Sequence, residues 1–78
     1  MNNKGIQNAV CEVLGVALEQ GQPVDPGFCR EEQPAWDSLK HIQVIFALED
    51  RFNVQFSEAD MQQMDSVGKI AQRISELL

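Results

Sequence analysis

The chain has 78 residues, and 12 Asp and Glu residues against 6 Lys and Arg residues give it a formal net charge of −6. A domain this small buries only about 60% of the surface of its unfolded chain, which leaves little room for a water-excluding catalytic cavity. The acidic balance argues against a nucleic-acid or anionic-membrane partner, because phosphate binding requires clustered Lys and Arg. The longest apolar run, residues 44–48, is far too short to span a bilayer. We therefore expect one soluble, cytoplasmic domain over residues 1–78.

The cysteine and histidine content argues against a disulfide framework and against a metal site. Cys11 and Cys29 are the two cysteines, and His41 is the one histidine. Small domains that depend on disulfides usually carry four or more cysteines, and a structural zinc ion needs four ligands. We expect two reduced thiols and no metal ion.

The N-terminal segment is predicted to be an amphipathic helix over residues 3–19. Its apolar residues recur at helical spacing: Ile6, Ala9, Val10, Val13, Leu14, Ala17 and Leu18. Gly21 and Pro23 end the pattern. Residues 21–34 hold all three prolines and read as a long irregular connection. A loop of this length in so small a domain is uncommon unless it has a function or packs over the core.

Three further helices follow, each with a recognisable start. Asp37 is a candidate N-cap for a helix over residues 38–52, and Asn53 suits its C-terminus. Ser57, followed by acidic residues, caps a third helix that must be short because Ser66 caps the next. No alternating strand pattern occurs in the sequence. The fold class predicted is all-α, a four-helix bundle with a long first loop and a short third helix.

The second helix is apolar on two sides. At about 100° per residue, one cluster forms the expected core face: Ile42, Ile45, Leu48 and Phe52. The other cluster lies nearly opposite: Leu39, Gln43, Phe46, Ala47 and Asp50. Either the bundle and its long loop cover Phe46, or this side is a docking surface for a partner, since apolar patches rimmed by polar groups mark interaction sites. The helical wheel alone leaves both interpretations open.

Ser38 lies where the long loop meets this helix. The simple interpretation is that Asp37 caps the helix and Ser38 is an ordinary first-turn residue. The chemical interpretation is that Ser38 carries a covalent phosphodiester, because a phosphate at a helix N-terminus meets free backbone N–H groups and the positive end of the helix dipole.

The residues around Ser38 resemble the acyl carrier protein family. The stretch begins with Trp36-Asp37-Ser38-Leu39 and continues through the Ala-Leu-Glu-Asp-Arg-Phe-Asn-Val sequence of residues 47–54. The likeness extends past Ser57-Glu58 to the Ser-Val-Gly-Lys-Ile sequence of residues 66–70. It covers about three quarters of the chain in one register, which is far more specific than Asp-Ser-Leu alone.

The resemblance implies a non-enzymatic, monomeric carrier. In this family the motif serine, here Ser38, receives 4′-phosphopantetheine from coenzyme A through a Mg²⁺-dependent phosphopantetheinyl transferase. The thiol of this arm holds acyl or aminoacyl groups as thioesters for acyl-loading, acyl-transferring or condensing enzymes. The resemblance places partner docking at seven positions: Asp37, Leu39, Lys40, Gln43, Phe46, Ala47 and Asp50.

Two positions depart from the fatty-acid carriers that the chain resembles. Lys40 and Gln43 stand where acidic residues are frequent, so residues 38–52 carry no net charge. The departures favour a specialised pathway, such as polyketide or secondary lipid assembly, over housekeeping fatty-acid synthesis. Trp36 also departs from the small or aliphatic residue frequent there, and it either anchors the loop or lies beside the arm.

Three alternatives to an acyl carrier differ in how well the residues support them. A Ser38-His41-Asp37 hydrolase is disfavoured because His41 falls on the core side of the helix and nothing supplies an oxyanion hole. An aminoacyl or peptidyl carrier remains open, since the cargo is not encoded in these residues. An unmodified carrier-like interaction module also remains, although the intact Asp-Ser-Leu triplet disfavours it.

Overall fold

The computed structural model describes residues 3–78 as a bundle of α-helices. In chain order the four α-helices and one short 3₁₀ helix are α1 (Asn3–Ala17), the 3₁₀ helix Arg30–Glu32, α2 (Ser38–Phe52), α3 (Glu58–Gln63) and α4 (Val67–Leu77). The predicted all-α, four-helix fold with a short third helix is therefore confirmed. No helix in this described part of the chain is long and apolar enough to cross a membrane.

Local capping explains where the helices start and stop. The Asp37 carboxylate accepts a hydrogen bond from the Lys40 backbone N–H at 2.9 Å, which caps α2. Asn53 ends α2 in the left-handed conformation (φ 55°, ψ 48°) that Asn tolerates. Ser57 opens α3 with a reciprocal capping box, and Ser66 caps α4. These four predicted helix ends are confirmed.

Helix α1 ends two residues earlier than predicted, because the chain turns sharply after Leu18. Glu19 takes a left-handed conformation (φ 57°), and Gly21 follows with φ +80°. The chain then folds back across Gly15, where a Cβ atom would collide with the Gln22 carbonyl oxygen. A side chain at position 15 would therefore push the loop away from α1.

The long loop packs over the core rather than standing free. Val24 is buried, and its N–H donates to the Cys11 carbonyl of α1 at 3.1 Å. Farther along, the Arg30 N–H donates to the Asp65 carbonyl at 2.8 Å, just before α4. Trp36, only 2% exposed, closes the loop against the core. Of the two explanations given for a loop of this length, a function or packing over the core, these contacts show the second.

The predicted core face of α2 is partly wrong. Ile45, Leu48 and Phe52 are buried as expected, but Ile42 is 52% exposed and Val44 is completely buried in its place. Apolar residues flank both sides of this helix, so hydrophobic spacing alone could not decide its rotation. The burial of Val44 shows that tertiary packing, which includes that of α1 against α2, sets which side of α2 faces the core.

Candidate functional site

Ser38 is the first residue of α2 and is exposed to solvent. The cap of the helix is the preceding side chain, Asp37, so the Ser38 hydroxyl is not needed to close the first turn. A guanidinium group comes close to it: Nη2 of Arg30 lies 3.4 Å from Ser38 Oγ. The site is therefore an exposed hydroxyl at a helix N-terminus, with a cation beside it.

Two of the three other serines, Ser57 and Ser66, differ from Ser38 in what their hydroxyls bind. Ser57 Oγ accepts a hydrogen bond from the Asp60 N–H at 3.1 Å, and Ser66 Oγ accepts one from the Lys69 N–H at 3.2 Å. Both hydroxyls are thus engaged in helix capping, whereas that of Ser38 is free of this task.

His41 is engaged in the interior and does not serve Ser38. The Trp36 indole N–H donates to His41 Nδ1 at 2.9 Å, and His41 Nε2 lies 2.7 Å from the Met61 carbonyl oxygen. Because an indole N–H can only donate, the neutral ring carries its proton on Nε2 and donates it to Met61. With Asp37 occupied by the Lys40 N–H, no Ser-His-Asp triad forms. The half-buried position expected for His41 is confirmed.

Trp36 anchors the loop, the first of the two roles considered for it. Its ring stacks on that of Phe28, with centroids 5.9 Å apart, and its N–H reaches His41. The loop, α2 and α3 therefore meet at one buried aromatic group directly before the serine.

The outer side of α2 carries an exposed apolar strip. It consists of Leu39 (65% exposed), Ile42 (52%) and Phe46 (62%). The interpretation in which the loop covers Phe46 is therefore wrong. Gln43 and Asp50 are exposed beside the strip, and Ala47 is half-buried at its edge. The helical wheel placed Ile42 on the core face and not in this strip, although Ile42 lies four residues before Phe46 and so on the same side of a helix.

Two charged contacts near Ser38 were not predicted. Lys40 Nζ lies 3.7 Å from the Glu19 carboxylate at the end of α1. The charge count over α2 alone therefore overlooked the acid that faces Lys40. Arg30 was also missed, because it precedes Ser38 by eight residues in an irregular loop where spacing carries no signal.

Both cysteines are free thiols, as expected. Cys11 is buried in the core, and this burial raises the pKa of its thiol, with a further contribution from the carboxylates of Asp25 and Glu12. In the described part of the chain no group of three or more His, Cys, Asp or Glu side chains could hold a metal ion.

Comparisons with known proteins agree with this geometry. The family model of the phosphopantetheine attachment site matches residues 36–74, half of the chain. A curated acyl carrier protein from Cyanidium caldarium is 33% identical over 64 residues, which are 82% of this chain and 71% of that protein. The chain belongs to the acyl carrier protein family.

Two solved structures share the fold of this carrier. The solution structure of the holo acyl carrier protein from Geobacter metallireducens superposes with a TM-score of 0.77 at 21% identity, covering 91% of this chain and 83% of that one. A Mycobacterium tuberculosis protein assigned as an acyl carrier protein gives a TM-score of 0.81 at 23% identity, with 94% and 99% covered. At these identities the likeness concerns the fold alone.

Membership of the family settles the class of activity. The protein is a carrier rather than an enzyme, and the cofactor that its family attaches is 4′-phosphopantetheine. The family works with phosphopantetheinyl transferases and with enzymes that handle acyl groups. The matched region contains an exposed serine at a helix N-terminus, which suits a phosphodiester because the first-turn N–H groups and the helix dipole favour its negative charge.

Proposed function

We propose that Ser38 carries the 4′-phosphopantetheine arm. The observation that carries this proposal is the difference among the three serines of residues 36–74. The hydroxyls of Ser57 and Ser66 accept the N-cap hydrogen bonds of α3 and α4, and modification of either serine would remove that cap. Ser38 is exposed and leaves capping to Asp37, so a group on its oxygen costs the bundle no internal hydrogen bond of this kind.

The attachment chemistry needs a base from outside this chain. The Ser38 oxygen forms a bond to the phosphorus of coenzyme A that bears pantetheine, the pyrophosphate bond breaks, and adenosine 3′,5′-bisphosphate leaves. The hydroxyl proton must pass to a base; His41 is bonded to Trp36 and Met61, and the hydrogen bonds of the described residues join the Asp37 carboxylate to the Lys40 N–H and not to the Ser38 hydroxyl. The transferase therefore supplies the base and the Mg²⁺, and this chain supplies an accessible nucleophile. Once attached, the arm supplies a thiol for thioester chemistry.

We propose an acyl cargo, passed between enzymes of fatty-acid, polyketide or related lipid biosynthesis by one monomeric domain of residues 1–78. The similarity to a curated acyl carrier protein supports an acyl rather than aminoacyl cargo. A specialised pathway is favoured by Lys40 and Gln43, which leave the serine end of α2 without the acids that fatty-acid carriers frequently show there. Glu19 offsets the positive charge of Lys40, so the proposal rests on the missing acids of α2 and not on an added positive charge.

Partner enzymes are proposed to dock on the apolar strip and its surroundings. Leu39, Ile42 and Phe46 expose apolar surface to water, and a bound partner would remove this surface from water. Polar or charged groups rim this area: Asp37, Lys40, Gln43 and Asp50, with Ala47 at its edge. An apolar centre with a polar rim is the usual composition of a protein interface.

The attachment site is tested by intact mass. The purified protein is incubated with coenzyme A, Mg²⁺ and a broad-specificity phosphopantetheinyl transferase, and one phosphopantetheinyl group is expected to be added. Ser38→Ala should gain none while remaining folded by circular dichroism. Ser75→Ala, which removes an exposed hydroxyl from α4, is the matched control and should load normally. A mass gain in Ser38→Ala would overturn the assignment.

The pathway preference is tested by Lys40→Asp. Restoring an acid next to Ser38 should raise kcat/KM with enzymes of housekeeping fatty-acid synthesis, because their basic patches would meet a more acidic helix. Glu19→Gln is the control: it breaks the same ion pair but adds no acid to α2. Since an exposed pair contributes about 0.2–1 kcal/mol, neither variant should unfold. Unchanged kinetics for Lys40→Asp would show that charge at this position does not set partner choice.

A further inference from the structure

Hydrogen bonds hold the guanidinium group of Arg30 beside Ser38. Its guanidinium donates through Nε to the Trp36 carbonyl at 3.1 Å, and through Nη2 to Ser38 Oγ at 3.4 Å. The backbone beneath it is tied down as well, since the Arg30 N–H donates to the Asp65 carbonyl at 2.8 Å. Neighbouring Cys29 forms an isolated antiparallel bridge with Ser66. A long, flexible side chain is thus aimed at one hydroxyl from an anchored part of the loop.

The charge of Arg30 has no acidic partner in the described part of the chain. The ion pairs found within residues 3–78 join Lys40 to Glu19, Lys69 to Asp65, and Arg73 to Asp60 and Glu76. Arg30 instead faces a neutral hydroxyl through a long hydrogen bond. Within residues 3–78 no ion pair is found for Lys4 or Arg51 either, but of these three unpaired cations it is Arg30 whose guanidinium contacts the Ser38 hydroxyl.

We propose that Arg30 binds the phosphodiester of the arm; this inference rests on the proposed modification of Ser38. When phosphorus replaces the hydroxyl proton, two non-bridging oxygens that share one negative charge lie next to Oγ. With Nε held by Trp36, the Nη1 and Nη2 donors of Arg30 remain for these oxygens. The long bond to a neutral oxygen is thereby exchanged for charge-assisted bonds, the geometry for which a planar guanidinium is suited.

The contact gives Arg30 a positioning role. It holds the first atoms of the arm against the loop and so narrows the directions in which the arm can leave Ser38. The exposed carboxylate of Asp37, one residue before the serine, would repel a phosphate on Ser38. Arg30 offsets the repulsion between that carboxylate and the new phosphate.

The test first establishes loading and then measures the phosphate. Wild type, Arg30→Gln, Arg30→Lys and Arg51→Gln are loaded and checked by intact mass; Arg51, exposed in the last turn of α2, is the matched control. Absence of loading in the wild type would overturn the proposed function itself. Once loading is established, differences in the ³¹P resonance of the diester between the wild type and the variants separate the Arg30 contact from the modification itself.

We expect the ³¹P resonance of Arg30→Gln to shift towards that of a phosphopantetheinyl-serine peptide, with Arg30→Lys between the two and Arg51→Gln unchanged from wild type. In the wild type, about 1 M NaCl should move the resonance in the same direction, because the Debye length falls to about 3 Å. Equal resonances in wild type and Arg30→Gln would overturn the proposal, as would an equal shift in Arg51→Gln.

A second measurement uses the wild type alone and does not depend on the stability of a variant. Loading Ser38 should shift the Arg30 Nε and Nη NMR signals and slow the exchange of the Nη protons with water several-fold. Arg51 signals should stay in place. Arg30 signals that are identical before and after loading would overturn the proposal.

Discussion

Helices α2 and α4 begin in the same way and differ in what their outer sides do. Each follows a side-chain cap, Asp37 for α2 and Ser66 for α4. The first residue of α4 is Val67, which is completely buried, whereas the first residue of α2 is the exposed Ser38. The same kind of cap therefore precedes a buried first residue in α4 and an exposed first residue in α2.

The two helices also differ on the side away from the core. Helix α4 has one apolar stripe, and charged residues opposite it bind partners within the chain: Lys69 pairs with Asp65, and Arg73 with Asp60. Helix α2 exposes Leu39, Ile42 and Phe46 instead. A helix whose only task is to complete the bundle needs one apolar stripe. The second apolar side of α2 is the surface on which we propose that a partner enzyme docks.

The largest expected effect is the difference in free energy of unfolding between a substitution of a buried isoleucine and a substitution of an exposed one. Ile74 on α4 is completely buried, so Ile74→Ala should lower the free energy of unfolding by about 2–5 kcal/mol through lost burial and a cavity. Ile42→Ala on α2 should change it by about 0.5 kcal/mol or less. Urea denaturation of both variants measures the difference. Comparable losses would place Ile42 in the core and remove the contrast between the helices.

A functional contrast is expected for Phe46→Ser. It should lower turnover of the loaded carrier with a partner enzyme more than it lowers the melting temperature, because Phe46 is 62% exposed and contributes to the strip. Val16→Ser is the matched control, since Val16 is 81% exposed on α1, away from the strip. If both variants lose turnover equally, or if Phe46→Ser first loses stability, α2 does not carry the docking surface.

The smallest effect concerns the polar side of α4. The pKa of Asp60 is lowered, chiefly by its hydrogen bond from the Ser57 N–H and also by Arg73, relative to the ordinary value of 3.8. A lowered pKa means that Asp60 stabilises the fold above the unfolded value and that this contribution is lost as the pH falls through the folded value. The melting temperature of wild type should therefore exceed that of Asp60→Asn at pH 7, and the two should converge in acid.

The opposite trend would contradict the structural role given to the outer side of α4. Glu76→Gln is a useful comparison, because it removes the other carboxylate that contacts Arg73 but leaves the capping box of α3 intact. Its effect should be smaller than that of Asp60→Asn at every pH.

Much of the fold could be predicted from local sequence. The helix ends at Asp37, Asn53, Ser57 and Ser66 are set by side chains that bond backbone groups within a few residues, so spacing reveals them. The stripe of α4 has a single apolar side and could be assigned to the core without knowledge of its neighbours. Ser38 could be singled out for a similar reason, because its motif is local.

The rotation of α2 could not be predicted in the same way. With apolar residues on both sides, the sequence supports more than one orientation, and Ile42 was assigned to the core although Val44 takes that place. The choice is made by the packing of α2 against its neighbours, among them α1. Ile42, which the helical wheel had placed in the core, therefore belongs to the exposed strip.

The four helices, the caps at Asp37, Ser57 and Ser66, and the serine at the start of α2 follow from interactions between residues a few positions apart, so they can be read from the sequence alone. Which charged groups and rings lie around that serine depends on tertiary contacts. Arg30 reaches Ser38, Lys40 meets Glu19, and Trp36 joins His41 to the loop. These contacts depend on the path of an irregular loop and on helix packing, which bring together residues that no periodic pattern links.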